Sequence, residues 1–195
     1  MAHIVVLGAG VGGTSAAYEL RGMLGPAPAI TVVGEGGMFS FTPSNPWVAV
    51  GWRKPADIQV PLAEYLARKR IAFEGDGAEK VEPDENRILL RNGRCLAYDY
   101  LVIATGPRLA FDEIPGLGPE GGFTHSVCTT LHAAGAWEAY QAFLEDPGPI
   151  VVGAAPGASC FGPAYEFAMI LDRDLRRRKL RNLVPMTYVT PEPYI

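Results

Sequence analysis

Three thiols and two glycine-rich turns are the parts of this 195-residue chain with the means to do chemistry. Cys160 stands in Gly157-Ala-Ser-Cys-Phe-Gly-Pro-Ala-Tyr-Glu166. If Ser159 caps a helix running to Arg178, Cys160 falls in its first turn. Open N–H groups and the positive end of the dipole stabilise a thiolate there. Pro163 is acceptable in that turn, because its missing N–H would have no intrahelical partner. Such a thiolate attacks sulfur species or donates electrons to a flavin; a buried structural cysteine fits the spacing equally well. Cys128 precedes His132 by four residues, and on one helix face that spacing lets His132 serve as a base toward a nearby sulfur. A polar histidine near a helix start is the plainer reading of the same residues. Glu166 is either a carboxylate of this site or an ordinary helical one. Cys95 is assigned no function. The cysteines lack C-x-x-C or metal-ligand spacing, so no metal site is expected.

The first glycine turn has a clearer purpose. Ile4 to Leu7 form a short apolar run suited to a strand buried on both faces of a parallel sheet. Gly8-Ala9-Gly10-Val11-Gly12-Gly13 follows, and a helix continues from Thr14 to Leu24. In this G-x-G-x-x-G spacing Gly8 makes the tight turn, Gly10 admits a pyrophosphate to the backbone, and Gly13 lets the helix pack on the strand. The phosphates would rest on the open N–H groups at the helix start. The fingerprint indicates a dinucleotide without choosing one. Glu35, beside Gly34 at the end of the second strand, stands where an acidic residue commonly holds ribose hydroxyls; a solvated loop carboxylate is the alternative. The second turn, Gly153-Ala-Ala-Pro-Gly157-Ala158, resembles the first with Ala155 and Ala158 in place of its middle and last glycines. A methyl at the middle position obstructs phosphate approach, so one dinucleotide is expected, not two.

These turns need a sheet to hold them. Strands are expected at Ala29 to Val33, Ile71 to Glu74, Tyr100 to Ala104, Ile150 to Val152 and Met186 to Val189. Ala78 to Val81, Arg87 to Leu90 and Arg94 to Ala97 read as an antiparallel meander, with Asn92-Gly93 as its hairpin turn. Tyr100 to Ala104 reads as a buried strand running into Thr105-Gly106, which puts a second glycine turn at the carboxyl edge of the sheet, where ligands of open parallel sheets bind. Helices are expected over Pro61 to Arg70, Thr130 to Leu144 and Ser159 to Arg178. The segment 39–52 is aromatic, nearly uncharged and without helical period, so it should pack on something: a flat cofactor, a partner domain or the core itself. Residues 107–122, rich in glycine and proline, read as a linker. Arg176, Arg177, Arg178 and Lys179 suit a helix C-terminus better than a nucleic-acid patch.

Apolar residues make up 48% of the chain, enough for a packed core, and the net charge of −4 argues against a general nucleic-acid binder. No apolar run reaches the roughly 20 residues that span a bilayer. The first strand begins at once, so no signal peptide is expected; a cytoplasmic start and free or redox-active thiols follow. The second unit, with strand, helix and strand only, would leave an open sheet edge, so the chain is expected to be a fragment or to pair with another polypeptide, with a homo-oligomer as one form of that.

Four stretches carry a resemblance: Gly8 to Gly13, Pro43-Ser-Asn-Pro-Trp47, Tyr98-Asp-Tyr-Leu-Val-Ile-Ala-Thr-Gly106 and Gly157 to Glu166. Through them the chain resembles the N-terminal part of the sulfide:quinone oxidoreductases, flavoproteins of the pyridine-nucleotide-disulfide reductase type. The resemblance implies an α/β fold: a Rossmann-like, three-layer FAD-binding domain with a small meander over 1–110, a linker and helix over 111–147, and the start of a second, degenerate Rossmann-like domain over 148–195. It implies FAD as cofactor, covalently or noncovalently held, with Gly8, Ala9, Gly10, Gly12, Gly13, Gly34, Glu35, Thr42, Ala78, Ala104, Thr105 and Gly106 at the cofactor. It implies sulfide as donor and a membrane quinone as acceptor. The Cys160 position would work with a second redox cysteine through a persulfide, Cys128 would handle sulfur in a smaller role, and His132 and Glu166 would assist proton movement. The second redox cysteine and the quinone- and membrane-contacting helices belong to the family's C-terminal half. The chain alone is therefore expected to be soluble and not to complete the reaction, and the full-length form to sit on the cytoplasmic side of a membrane. The competing readings are an NADH dehydrogenase or ferredoxin-reductase type of enzyme, disfavoured by Ala155 and Ala158, and a non-catalytic flavin- or nucleotide-binding remnant.

Overall fold

The computed structural model describes residues 1–193. In chain order its first elements are β1 (His3–Leu7), α1 (Val11–Leu24), β2 (Ala29–Val33), β3 (Met38–Ser40), α2 (Asn45–Ala49), β4 (Gln59–Pro61), α3 (Leu62–Ala67) and β5 (Ala72–Glu74). There follow β6 (Ala78–Glu82), β7 (Arg87–Leu90), β8 (Cys95–Ala97), β9 (Tyr100–Ile103), α4 (Thr130–Glu145), β10 (Ile150–Gly153), α5 (Gly162–Arg177) and β11 (Met186–Val189). They form two compact units, one of residues 1–40 and 59–109, the other of residues 41–58 and 110–195.

In the first unit, β5-β2-β1-β9 make a parallel sheet with β1 inside it. Alternation along β1 assigns the layers. Ile4 and Val6 face one way and pack with Ala17 of α1 and Leu62 and Leu66 of α3. Val5 and Leu7 face the other way and pack with Ile88 and Leu90 of the antiparallel meander β6-β7-β8. Helices, sheet and meander are the three layers expected of a Rossmann-like α/β domain. The expectation that β9 is buried fails. It pairs with β1 alone, and Tyr100 and Ile103 are exposed, because it is the edge strand among the described residues.

The second unit joins β10 to the parallel β11 through α5. Val152, Leu171, Leu175 and Val184 share a core with Tyr140 of α4 and Val50. Only Val152 of β10 is buried and Val151 is exposed, so this strand too is less covered than its composition suggests. Residues 41–58, expected in the first domain, pack instead in this unit. Pro43 and Pro46 mask a 3-10 turn at Thr42–Ser44 and the short α2, whose Val48 and Ala49 pack on Ala133 and Ala136 of α4. The buried Asn45 accepts the Thr130 hydroxyl proton at 3.0 Å. The expected linker and helix over 111–147 likewise belong to this compact unit.

Candidate functional site

In the first unit the site is built on the carboxyl end of β1. Gly8 follows it at φ 120°, a conformation that L side chains rarely adopt, and its N–H donates to the carbonyl of Val33 at 2.8 Å. A side chain there would also strike the carbonyl of Ala104, which the Ala104 N–H holds in place by donating to Leu7 at 2.7 Å. The first glycine turn and Ala104-Thr105-Gly106 thus lie side by side, as the sequence leads one to expect. Chain connections leave β1 toward β2 on one side and return to β9 on the other, so this is the switch point where open α/β sheets take ligands.

The remaining glycines divide by surroundings. Gly13 is buried in α1, and a β-carbon there would strike the Gly8 carbonyl, so it sets the helix against the strand. Gly10 and Gly12 have nothing within 4 Å of the corresponding position. Gly10 is the N-cap of α1 and no side chain caps its open N–H groups. Thr14 turns its hydroxyl back to the Gly10 carbonyl at 2.8 Å. The result is a helix N-terminus with donors facing outward and no methyl in the way, a cradle into which a pyrophosphate fits.

Glu35 lies beyond β2, exposed, with Arg91 2.5 Å from its carboxylate. Arg91 was not singled out by the sequence, although its place beside the Asn92-Gly93 turn brings it back toward β2. Ala78 opens β6 opposite Leu90 and is partly buried on the meander core. Gly34 is buried, its N–H donating to the Glu74 carbonyl and its carbonyl accepting from the Gly77 N–H.

In the second unit two expectations change. Helix α5 starts at Gly162 with Phe161 as its N-cap, so Cys160 precedes the helix instead of lying in its first turn. The reason is Pro163: a helix begun at Cys160 would require from it the first hydrogen-bonded N–H, which proline lacks. Pro163 sits where it is tolerated, in the first turn of the shorter helix. Cys160 is nonetheless exposed, as are Cys128 and Cys95. Cys128 and His132 do not share a helix face either, because α4 begins after Thr129, whose hydroxyl caps it by accepting the His132 N–H at 3.1 Å. The Cys128 N–H donates to Ser126. The imidazole of His132 meets Glu120 at 3.3 Å and the ring of Phe111 at 5.7 Å between centroids. Glu166 is exposed on α5, and Thr42 is exposed at the head of the 3-10 turn. Among the described residues no cluster of His, Cys, Asp and Glu is placed to hold a metal ion, and no helix is long and apolar enough to cross a membrane.

Sequence reading also missed Asp174, a carboxylate only 3% exposed. It accepts from the Trp52 indole at 2.7 Å, the Tyr140 hydroxyl at 3.0 Å and Arg178 at 2.5 Å. Burial, and then this hydrogen bond to Asp174, push the Tyr140 phenol well above its ordinary pKa. The run Asp172-Arg-Asp174 with Arg176 to Arg178 was its only sequence trace, hidden by looking like a solvated helix end.

Residues 2–158 match the family model described as pyridine nucleotide-disulphide oxidoreductase. The chain belongs to that family. Within this oxidoreductase family it is 47% identical over 195 residues, 99% of its length, to the sulfide-quinone reductase of Aquifex aeolicus, of which that match covers 44%. It is 30% identical over 150 residues to the mitochondrial sulfide:quinone oxidoreductase of Mus musculus, covering 73% of this chain and 32% of the relative. The structure superimposes on that of the Aquifex aeolicus sulfide:quinone oxidoreductase with a TM-score of 0.92 and 46% identity, over 100% of this chain and 44% of the other. The resemblance drawn from the four sequence stretches is therefore borne out, and the chain spans less than half the length of the relatives it matches. In family terms, the first turn keeps every glycine of the fingerprint, whereas the second keeps the strand, turn and helix with alanines in two places.

Proposed function

We propose that this chain is the nucleotide-binding and thiol-bearing part of a flavoprotein that oxidises sulfide and hands the electrons to a quinone. The observation that carries the reading is the 47% identity, across nearly the whole chain, to a sulfide-quinone reductase. The open cradle at Gly10 and Gly12 fits FAD, since nothing lies within 4 Å of the position a β-carbon would take at either glycine. Gly10 and Gly12 would hold the phosphates on the turn that Gly8, Ala9 and Gly13 shape, Gly34 and Glu35 the ribose, and Ala104, Thr105 and Gly106 the neighbouring wall. Thr42 and Ala78 carry the same assignment by family resemblance. Bound FAD would supply a two-electron acceptor.

Oxidation of HS⁻ to zero-valent sulfur releases two electrons and one proton. Cys160 offers an exposed sulfur on which the substrate sulfur can be held as a persulfide, with Cys128 as a second exposed thiol for sulfur transfer. The released proton needs a base, and His132 and Glu166 are the candidates. Quinone and membrane contact fall to parts of the family fold not represented among these residues. Anaerobic addition of sulfide to the FAD-loaded protein is expected to bleach the flavin, whereas NADH is not. Bleaching by NADH with no response to sulfide overturns the reading in favour of an NADH dehydrogenase type of enzyme.

A further inference from the structure

Residues 107–122 read as a linker, yet the structure folds residues 111–124 into a compact loop of the second unit. The ring of Phe111 lies against the buried Gly118, and the Gly118 N–H donates to the Thr124 hydroxyl at 2.7 Å. The Phe123 N–H closes the loop on the Gly116 carbonyl at 2.8 Å. This loop meets α4 at the side chain of His132. Phe111 packs tilted against the imidazole, and Glu120 places its carboxylate 3.3 Å from Nε2.

The two nitrogens of His132 then differ in a way that matters. Its side chain is only 10% exposed. Nδ1 is buried and has no hydrogen-bond partner. An ionised carboxylate accepts but cannot donate, so Glu120 places the proton of a neutral imidazole on Nε2. Nδ1 keeps its lone pair, and a buried acceptor with nothing to accept from is costly unless a donor reaches it. Carboxylates that fix a histidine in this way decide which nitrogen does acid–base work.

We propose that Glu120 is a positioning residue that holds His132 as its Nε2–H tautomer and so presents Nδ1 as the proton acceptor for the sulfide chemistry. The orientation stands on the geometry of the loop and α4; its use in sulfide oxidation rests on the function proposed above. Phe111 supports the arrangement by packing its tilted ring against the imidazole, and the folded loop keeps Glu120 in register with α4.

The test is nitrogen NMR on protein labelled in its three histidines. With the ring neutral, His132 is expected to show the coupling pattern of a single Nε2–H tautomer and a protected Nε2 proton. Glu120→Ala loses the protected proton and averages the ring signals, while Glu120→Gln, whose amide oxygen still accepts, retains them in part. The Trp52 indole N–H signal reports that the unit remains folded in each variant. A wild-type ring protonated on Nδ1, or a spectrum that Glu120→Ala leaves unchanged, overturns the proposal. In a second arm, Glu120→Ala slows flavin reduction by sulfide without changing FAD retention. An unchanged rate overturns the catalytic use of Nδ1. If sulfide fails to reduce the wild-type flavin at all, the function reading falls, and the tautomer measurement alone decides the pairing of Glu120 with His132.

Discussion

The indole N–H of Trp52 donates to the carboxylate of Asp174 at 2.7 Å, although the two stand 122 positions apart in the chain. Trp52 also lies under the guanidinium of Arg177, 5.4 Å from its ring centre. One buried carboxylate thereby ties residues 41–58 to α4 and α5, and it is satisfied by three donors. Removing the carboxylate leaves the Trp52 indole and the Tyr140 hydroxyl without their acceptor, while Arg178, 37% exposed, can turn to water. Asp174→Ala is expected to cost about 1–3 kcal/mol of the second unit's stability for each of these two donors. Trp52→Phe, which removes one hydrogen bond to a charged group, should cost about 1.5–3 kcal/mol. Urea denaturation followed by tryptophan fluorescence and by circular dichroism measures both; equal, negligible effects would mean that this node does not hold the segment.

Tyr140 gives this node a pH dependence. Burial first, and the hydrogen bond to Asp174 second, raise its phenol above the ordinary value of 10.0. A raised folded-state pKa favours the protonated form, so the stabilisation is complete below the unfolded value and is lost as pH rises from there toward the folded one. The protein is therefore expected to lose stability steadily above about pH 10, in the range of an unperturbed phenol, and Tyr140→Phe should flatten that alkaline limb. Phenolate absorbance recorded alongside the unfolding curves tests this, and an unaltered limb in the variant would assign the loss to other groups.

The sheet of the first unit was legible because β1 carries a buried run with glycines immediately after it, and nothing nearby competes for that pattern. Asn92-Gly93 marked the β7–β8 hairpin for the same local reason. The thiol region was harder to read. Where α5 begins turns on Pro163 and one missing N–H, and a shift of two or three residues moves Cys160 out of the helix. Residues 41–58 were placed in the wrong unit because Asn45, Val48 and Trp52 find their partners on α4 and α5, far along the chain. The His132 and Glu120 pairing depends on a loop whose glycines advertise only irregularity.

The glycines of the first turn separate folding from binding. Gly10 has open space around it and a φ of −79°, which alanine adopts without strain. Gly10→Ala should fold and melt like the parent, yet bind FAD at least roughly tenfold more weakly, equivalent to about 1.4 kcal/mol. Gly13→Ala drives a methyl into the Gly8 carbonyl and should instead damage the packing of α1 on β1, lowering the melting temperature together with FAD binding. Calorimetric titration with FAD, paired with thermal melts, distinguishes the two. Full FAD affinity in Gly10→Ala would place the pyrophosphate somewhere other than this turn.

The three exposed cysteines offer an internal comparison for the sulfur chemistry. Cys95 sits on β8 of the meander, paired opposite Leu89, and has no part in the proposed reaction. Cys160 precedes α5, and Cys128 precedes the cap of α4, both in the second unit. If exposure alone governed reactivity, all three would take up sulfur alike when the FAD-loaded protein meets sulfide. The proposed function predicts otherwise. Peptide mass spectrometry after alkylation should find a persulfide on Cys160, a smaller amount on Cys128 and none above background on Cys95. Cys160→Ser should reduce flavin bleaching by sulfide to background, Cys128→Ser should slow it, and Cys95→Ser should leave it unchanged. Since serine preserves the size and exposure of each site, FAD content should remain equal in all three variants. Bleaching that survives Cys160→Ser would remove this thiol from the reaction and leave Cys128 as the sulfur acceptor.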